Sequence, residues 1–130
     1  MAYDRPVWGH AMGPFESMRD ALRSGEVRFE YLDAVQLVKH AFGLVTDARR
    51  RLRRPVLFYL FAEPATLAGR CIAASAREGH RGEVRAFAEA VAGAEVQFAA
   101  SSYREWLATW SRSDQAVAQH GDNVVKAFQP

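Results

Sequence analysis

The sequence feature that most constrains the fold is an unbroken apolar run between two prolines, Pro55 and Pro64. The residues between them, Val-Leu-Phe-Tyr-Leu-Phe-Ala-Glu, do not alternate between apolar and polar side chains as a half-buried strand would. Continuous apolar character predicts a strand that is buried on both faces, and proline can occupy only the ends of such a strand. Glu63 carries the one charge of the run, at the carboxyl end, where open α/β sheets tend to bind ligands.

Length and composition indicate one globular domain. The chain has 130 residues, of which 49% are hydrophobic and 25% are charged. We expect an irregular lead-in over residues 1–13 and a single α/β domain over 14–130. The lone Cys71 cannot form an internal disulfide, which suits a reducing cytoplasm, and neither a signal peptide nor a membrane span is recognisable.

Apolar residues at helical spacing, with glycine or proline at the boundaries, predict about five helices. Gly43 is expected to end one of these helices, and a break is expected near Gly79. A second strand is predicted at 96–98, parallel to the first because a helix connects the two. The stretch 27–31 is either a short edge strand or an extended linker. The predicted helices span 14–24, 32–43, 80–92, 102–110 and 114–127.

The expected fold class is therefore α/β, with α+β as the alternative, and it has a small sheet of two or three strands around 55–62 and 95–99. So small a sheet leaves the edges of an apolar central strand unpaired, and such edges are templates for aggregation. We therefore expect either a homodimer or a missing N-terminal half that covers the strand.

Four motifs follow one another in an order that resembles a known family. Together they resemble the C-terminal half of a bacterial restriction-endonuclease-like protein of the PD-(D/E)XK nuclease superfamily, over roughly residues 13–128. The resemblance implies a partial restriction-endonuclease-like fold. The motifs are Gln36-Leu37-Val38-Lys39-His40, Leu57-Phe58-Tyr59-Leu60-Phe61-Ala62-Glu63-Pro64, His80-Arg81-x-Glu83-x-x-x-Phe87 and Ser102-Tyr103-Arg104-Glu105-Trp106-Leu107.

The chemistry of that superfamily needs a carboxylate followed by an acid-x-Lys pair, which together hold Mg²⁺ and position the attacking water. This sequence contains no acid-x-Lys; strings such as those at 26–28 and 83–85 carry arginine in place of lysine. The resemblance therefore implies a chain without a metal centre of its own, with Mg²⁺ expected only if an upstream catalytic half is present.

Three polar residues, Gln36, Lys39 and His40, share one stripe of a predicted helix. The resemblance implies an auxiliary catalytic role for them, with Gln36 beside the metal site and the other two near a phosphate or a metal-bound water. The alternative is the solvated side of an amphipathic helix. Glu63 is a candidate metal ligand, and the alternative is a carboxylate that caps the following helix.

Five arginines lie within six residues, at Arg49, Arg50, Arg51, Arg53 and Arg54. Such a cluster can bind DNA phosphates without reading sequence. The alternatives are a solvated loop or an anchor for an acidic partner, and the net charge of +2 is too small to decide between them.

Two functional hypotheses follow. The first is a nuclease-fold protein related to DNA restriction endonucleases, which lacks the metal centre and is inactive alone. The second is a non-catalytic α/β module for protein interaction or self-association.

Overall fold

The computed structural model describes residues 10–110 and, beyond them, positions 119, 120, 122, 123 and 126. Between residues 10 and 110 the chain is an α/β protein, as predicted, with a parallel pair of strands and an antiparallel hairpin. The helices are α1 (Gly13–Ser24), α2 (Ala34–Arg51), α3 (Ala74–Ala90) and α4 (Tyr103–Thr109). The strands are β1 (Val56–Phe61), β2 (Thr66–Leu67), β3 (Arg70–Cys71) and β4 (Gln97–Ser102).

Helix α1 begins and ends where the sequence predicts. Proline occupies its first turn, where the missing N–H is not needed. Gly25 ends the helix in the left-handed conformation at φ 77°, and its N–H donates to the carbonyl of Leu22. The lead-in predicted for residues 1–13 falls partly outside the described residues, and His10–Met12 form one 3-10 turn.

Helix α2 is longer than predicted, because the expected end at Gly43 is wrong. The helix starts after Asp33, whose carboxylate accepts from the Gln36 N–H at 3.2 Å. It continues because Val45 and Ala48 repeat the apolar period beyond the glycine and are buried. Their burial offsets the cost of about 1 kcal/mol that a glycine imposes within a helix.

Strand β1 forms where the apolar run predicts and pairs with β4 in parallel. The prediction that both of its faces are buried is wrong. Leu57 and Phe61 are buried, whereas Val56 is 48% exposed and Phe58 is 46% exposed. The reason is that β1 has a single neighbouring strand within the described residues, so the apolar run is not enclosed by a larger sheet. Residues 27–31, for which the sequence allowed either a strand or a linker, form an extended linker.

A short antiparallel hairpin follows β1. Strands β2 and β3 pair through Thr66 with Cys71 and through Leu67 with Arg70. The two residues of the turn, Ala68 and Gly69, have φ of 52° and 77°. Positive φ at both central positions is the backbone of the tight two-residue turn that joins antiparallel strands.

Helix α3 runs unbroken through both of its internal glycines, so the predicted break near Gly79 is wrong. Gly79 is a contact position instead: a Cβ there would lie 2.6 Å from Cε2 of the Tyr31 ring. The absence of a side chain lets the ring pack directly against the helix.

The chain divides into two compact units, residues 1–57 with 79–99, and residues 58–78 with 100–130. The first unit has an aromatic core around the fully buried Phe87. The Phe87 ring lies edge-on to Phe15 at 6.2 Å, to Phe29 at 6.3 Å and to Phe98 at 4.9 Å between centroids. The single domain expected over 14–130 stays a prediction.

The second unit contains the β2–β3 hairpin and α4. Ser102 caps α4, since its Oγ accepts from the Glu105 N–H at 3.1 Å. Within the unit, Trp106 packs against Phe58 and Trp110, with centroids 6.5 and 5.0 Å away. The helix predicted at 114–127 lies largely outside the described residues.

Candidate functional site

The arginine cluster lies at the carboxyl end of α2 and on the loop that leads into β1. Arg49, Arg50 and Arg51 form the last helical turn, and Arg53 and Arg54 follow the helix. All five are exposed. The segment is therefore a helix end, and the interpretation of the whole cluster as a loop is wrong.

Arg49 is bound to an acid of its own unit. Its Nε lies 3.1 and 3.0 Å from the two carboxylate oxygens of Glu95, and its Nη2 contacts the same group. The hydrogen bond to Glu95 raises the pKa of Arg49 above its ordinary value, and the charge of that carboxylate adds to the effect. Arg49 therefore ties the end of α2 to the residues that precede β4.

Arg51 also has an acidic partner, because its Nε lies 3.2 Å from Oδ1 of Asp47, one helical turn earlier. Both side chains are well exposed, so this pair contributes little to stability. It does lower the net charge that Arg51 presents to a ligand.

Three arginines remain, Arg50, Arg53 and Arg54, and we call them the basic end of α2. Within the described part of the chain no acidic side chain forms an ion pair with any of them. Three exposed guanidinium groups within five residues can each hold an anion in a two-pronged hydrogen bond.

The predicted trio of Gln36, Lys39 and His40 is exposed along α2. Lys39 and Arg50 are eleven residues apart and fall on the same side of the helix, about 16 Å apart along its axis. The trio is thus on the same helix as the arginines but not beside them. Its exposure matches the alternative interpretation, the solvated side of an amphipathic helix.

A groove of about 470 Å³ lies between α1 and α2. Arg19 lines it, with its guanidinium over the Phe42 ring at 5.8 Å and its Nε donating to Asp20 at 3.1 Å. The lining residues are Arg19, Leu22, Arg23, Val35, Val38, Lys39 and Phe42.

Glu63 lies two residues beyond β1 and is partly exposed. No helix follows it, since the β2–β3 hairpin comes next, so the prediction that it caps a following helix is wrong. Among the residues that the structure describes, no three His, Cys, Asp or Glu side chains converge as metal ligands would.

Glu83 has a structural role that its local sequence does not indicate. Its carboxylate accepts from three consecutive backbone N–H groups, those of Glu30, Tyr31 and Leu32, at 2.7 to 3.2 Å. Three successive amides that point at one anion form a small anion-binding concavity, and here a side chain of the same chain fills it. Glu83 thus fixes the linker ahead of α2.

None of the protein-family models, curated proteins or solved structures compared with this chain matches it. No helix in the described residues has both the length and the apolar character that crossing a membrane requires. Fold and surface together define the class: a small α/β protein with a basic helix end.

Proposed function

We propose that this protein is a non-catalytic α/β module that binds duplex DNA through phosphate contacts from the basic end of α2. The single observation that carries this proposal is the exposure of Arg50, Arg53 and Arg54 without an acidic partner among the described residues. Guanidinium groups recognise phosphate oxygens geometrically as well as by charge, and such contacts do not depend on base sequence.

Neutralising the helix dipole does not account for all of these arginines. Cations in the last turn of a helix stabilise its negative end. Arg49 and Arg51 already lie in that turn, whereas Arg53 and Arg54 lie beyond it. The latter two therefore have little role in helix stability and are available to a ligand.

Phosphate binding predicts a measurable salt dependence. Each phosphate contact releases counterions, so three contacts give a plot of log affinity against log salt concentration with a slope of about −2.7. A fourth contact from Lys39, on the same side of α2, changes the slope to about −3.6. Binding of this kind is weak at physiological salt and strong at low salt.

The relationship to the PD-(D/E)XK nucleases forms part of the proposal. In this interpretation the chain corresponds to the C-terminal half of such a fold, and Mg²⁺ chemistry belongs to an upstream half. The same proposal places the protein in the cytoplasm, where DNA is present and the exposed thiol of Cys71 stays reduced.

The test measures binding to a fluorescent duplex by anisotropy across a range of salt concentrations. One variant replaces Arg50, Arg53 and Arg54 with glutamine. A matched control replaces three other exposed arginines with glutamine and so lowers the net charge equally. The control positions are Arg70, Arg85 and Arg104.

We expect the first variant to lose most of the affinity and about 2.7 of the salt slope, and the control to keep both. Equal losses in the two variants would mean that net charge, not the basic end of α2, governs binding. Absence of binding by the unaltered chain at low salt would overturn the proposed function.

A second candidate function is self-association, which the exposure of β1 favours. Val56 and Phe58 are each nearly half exposed on a strand that has a single neighbour among the described residues. A second copy of the chain would cover such a strand. Light scattering tests this: a dimer that Val56→Lys dissociates supports it, and a monomer across micromolar concentrations contradicts it.

A further inference from the structure

Leu52 is the most exposed large apolar side chain in the described part of the chain, with 95% of its surface in water. It lies inside the arginine cluster, directly after Arg51 and directly before Arg53 and Arg54. Its full exposure amid guanidinium groups leaves the aliphatic side chain accessible to a ligand that has both anionic groups and an apolar interior.

The backbone at Leu52 is also unfavourable for leucine. Its φ of 54° and ψ of 46° are left-handed, a conformation that glycine adopts without strain and that usually ends helices as glycine. The conformation is held by two bonds, since Leu52 N–H donates to the end of the helix and Arg53 N–H donates to the carbonyl of Ala48 at 2.9 Å. The side chain therefore projects from a fixed backbone.

Most of the apolar face of α2 is not available to a surface ligand, although Val35 is 48% exposed. The buried side chains of that face include Leu37, Val38, Phe42 and Val45. A helix that binds a lipid bilayer lies flat with a whole apolar face in the membrane, and α2 cannot do so. A single aliphatic side chain at a rigid helix end, flanked by cations, is instead the arrangement of an apolar wedge that enters a base step.

We infer that Leu52 inserts between stacked base pairs of the duplex held by the basic end of α2, and that the protein bends DNA at that point. This inference rests on the proposed function, because the arginines supply the contacts that bring the side chain to the duplex. Insertion is easiest at pyrimidine–purine steps, which unstack readily. The protein then prefers DNA that contains such steps, although its arginines read no sequence.

The experiment measures the end-to-end distance of a duplex of about 20 base pairs by energy transfer between terminal dyes, alongside its affinity. One duplex has a central TA step, and a second has an A-tract at the same position. The protein variants are Leu52→Ala and Leu52→Gly. The matched control is Leu67→Ala, which removes another exposed leucine, 67% exposed in β2.

We expect the unaltered chain to bend the TA duplex more than the A-tract duplex. Both Leu52 variants should bind with an unchanged salt slope, with affinity about tenfold lower and with no bending. Leu67→Ala should behave as the unaltered chain does. Leu52→Gly suits the left-handed backbone, so its melting temperature should not fall, and loss of bending in that variant cannot be attributed to unfolding.

Three results would overturn the inference, and they can be told apart. If Leu52→Ala still bends DNA and binding still depends on the arginines, insertion of Leu52 is refuted and the proposed function stands. Absence of binding to any duplex at low salt refutes both the insertion of Leu52 and the proposed function. Binding to vesicles of phosphatidylserine and phosphatidylcholine that Leu52→Ala abolishes, with DNA binding unaffected, assigns the side chain to a lipid surface instead.

Discussion

The carboxylate of Glu83 is the tertiary contact whose removal we expect to be most informative. It accepts four contacts from three backbone N–H groups of the linker before α2, at 2.7 to 3.2 Å. The perturbations are Glu83→Ala, which removes both acceptor oxygens, and Glu83→Gln, which keeps one oxygen and removes the charge.

The expected magnitude follows from the surroundings of each N–H group. The amides of Glu30 and Tyr31 are exposed and can bond to water after the substitution, so each contributes little. Leu32 is only 4% exposed, and its N–H would be left without an acceptor, at a cost of about 1–3 kcal/mol. We therefore expect Glu83→Ala to lower the free energy of unfolding by about 2–3 kcal/mol.

Glu83→Gln should cost about half as much, since bonds to a neutral acceptor are roughly half as strong as those to a carboxylate. The assay is urea unfolding followed by tryptophan fluorescence and circular dichroism, with Glu89→Ala as the control on an exposed part of the same helix. Amide exchange at Tyr31 and Leu32 should also accelerate in Glu83→Ala. A change below about 0.5 kcal/mol in Glu83→Ala, or equal effects of the two substitutions, would falsify this account.

Four further predictions concern other positions. Ala68→Asn should stabilise the chain by about 0.5 kcal/mol in urea unfolding, because asparagine tolerates the φ of 52° that alanine strains to adopt. Gly79→Ala should stabilise the Tyr31→Ala variant by about 1 kcal/mol but should not stabilise the unaltered chain, where a Cβ at residue 79 meets the tyrosine ring at 2.6 Å. Unfolding of both single variants and of the double variant measures this coupling. Burial raises the pKa of Tyr59, so as pH rises the tyrosine ionises in the unfolded chain before it does so in the folded chain. The free energy of unfolding should therefore fall as pH rises beyond about 10, and Tyr59→Phe should remove this fall in alkaline unfolding curves. The purified chain should not nick supercoiled plasmid in Mg²⁺ or Mn²⁺, because no acid-x-Lys is present, and nicking lost in Glu63→Ala would contradict this.

Elements whose determinants are local could be predicted from the sequence. Pro55 directly precedes β1, Gly25 ends α1, and Ser102 with Glu105 starts α4. In each case the residues that fix the boundary lie within a few positions of it, so neighbouring side chains and backbone geometry suffice.

Features that depend on distant residues could not be predicted. Gly79 interrupts no helix because its role is set by Tyr31, which lies 48 positions earlier in the sequence. Glu83 finds its partners 51 to 53 residues away. A glycine in a helical pattern and a carboxylate on a helix have the same local signature whether or not such a partner exists. The exposure of Val56 and Phe58 likewise depends on how many strands flank β1, which the apolar run alone does not specify.

The arginine cluster combines both situations, and its division is the step on which the proposed function depends. In the sequence the five arginines are equivalent. The fold separates them, because Glu95, 46 residues away, binds Arg49, while Asp47 pairs with Arg51. The buried face of α2 and the Arg49–Glu95 pair together hold the helix end in place, so the backbone that carries Arg53 and Arg54 is ordered before any ligand arrives. A phosphate that binds there orders only side chains, at about 0.5–1.5 kcal/mol for each, whereas a flexible arginine loop would also lose backbone freedom. Arg49→Ala should therefore weaken DNA binding even though Arg49 itself is bound to Glu95, and it should do so without lowering the salt slope, because the number of phosphate contacts stays the same.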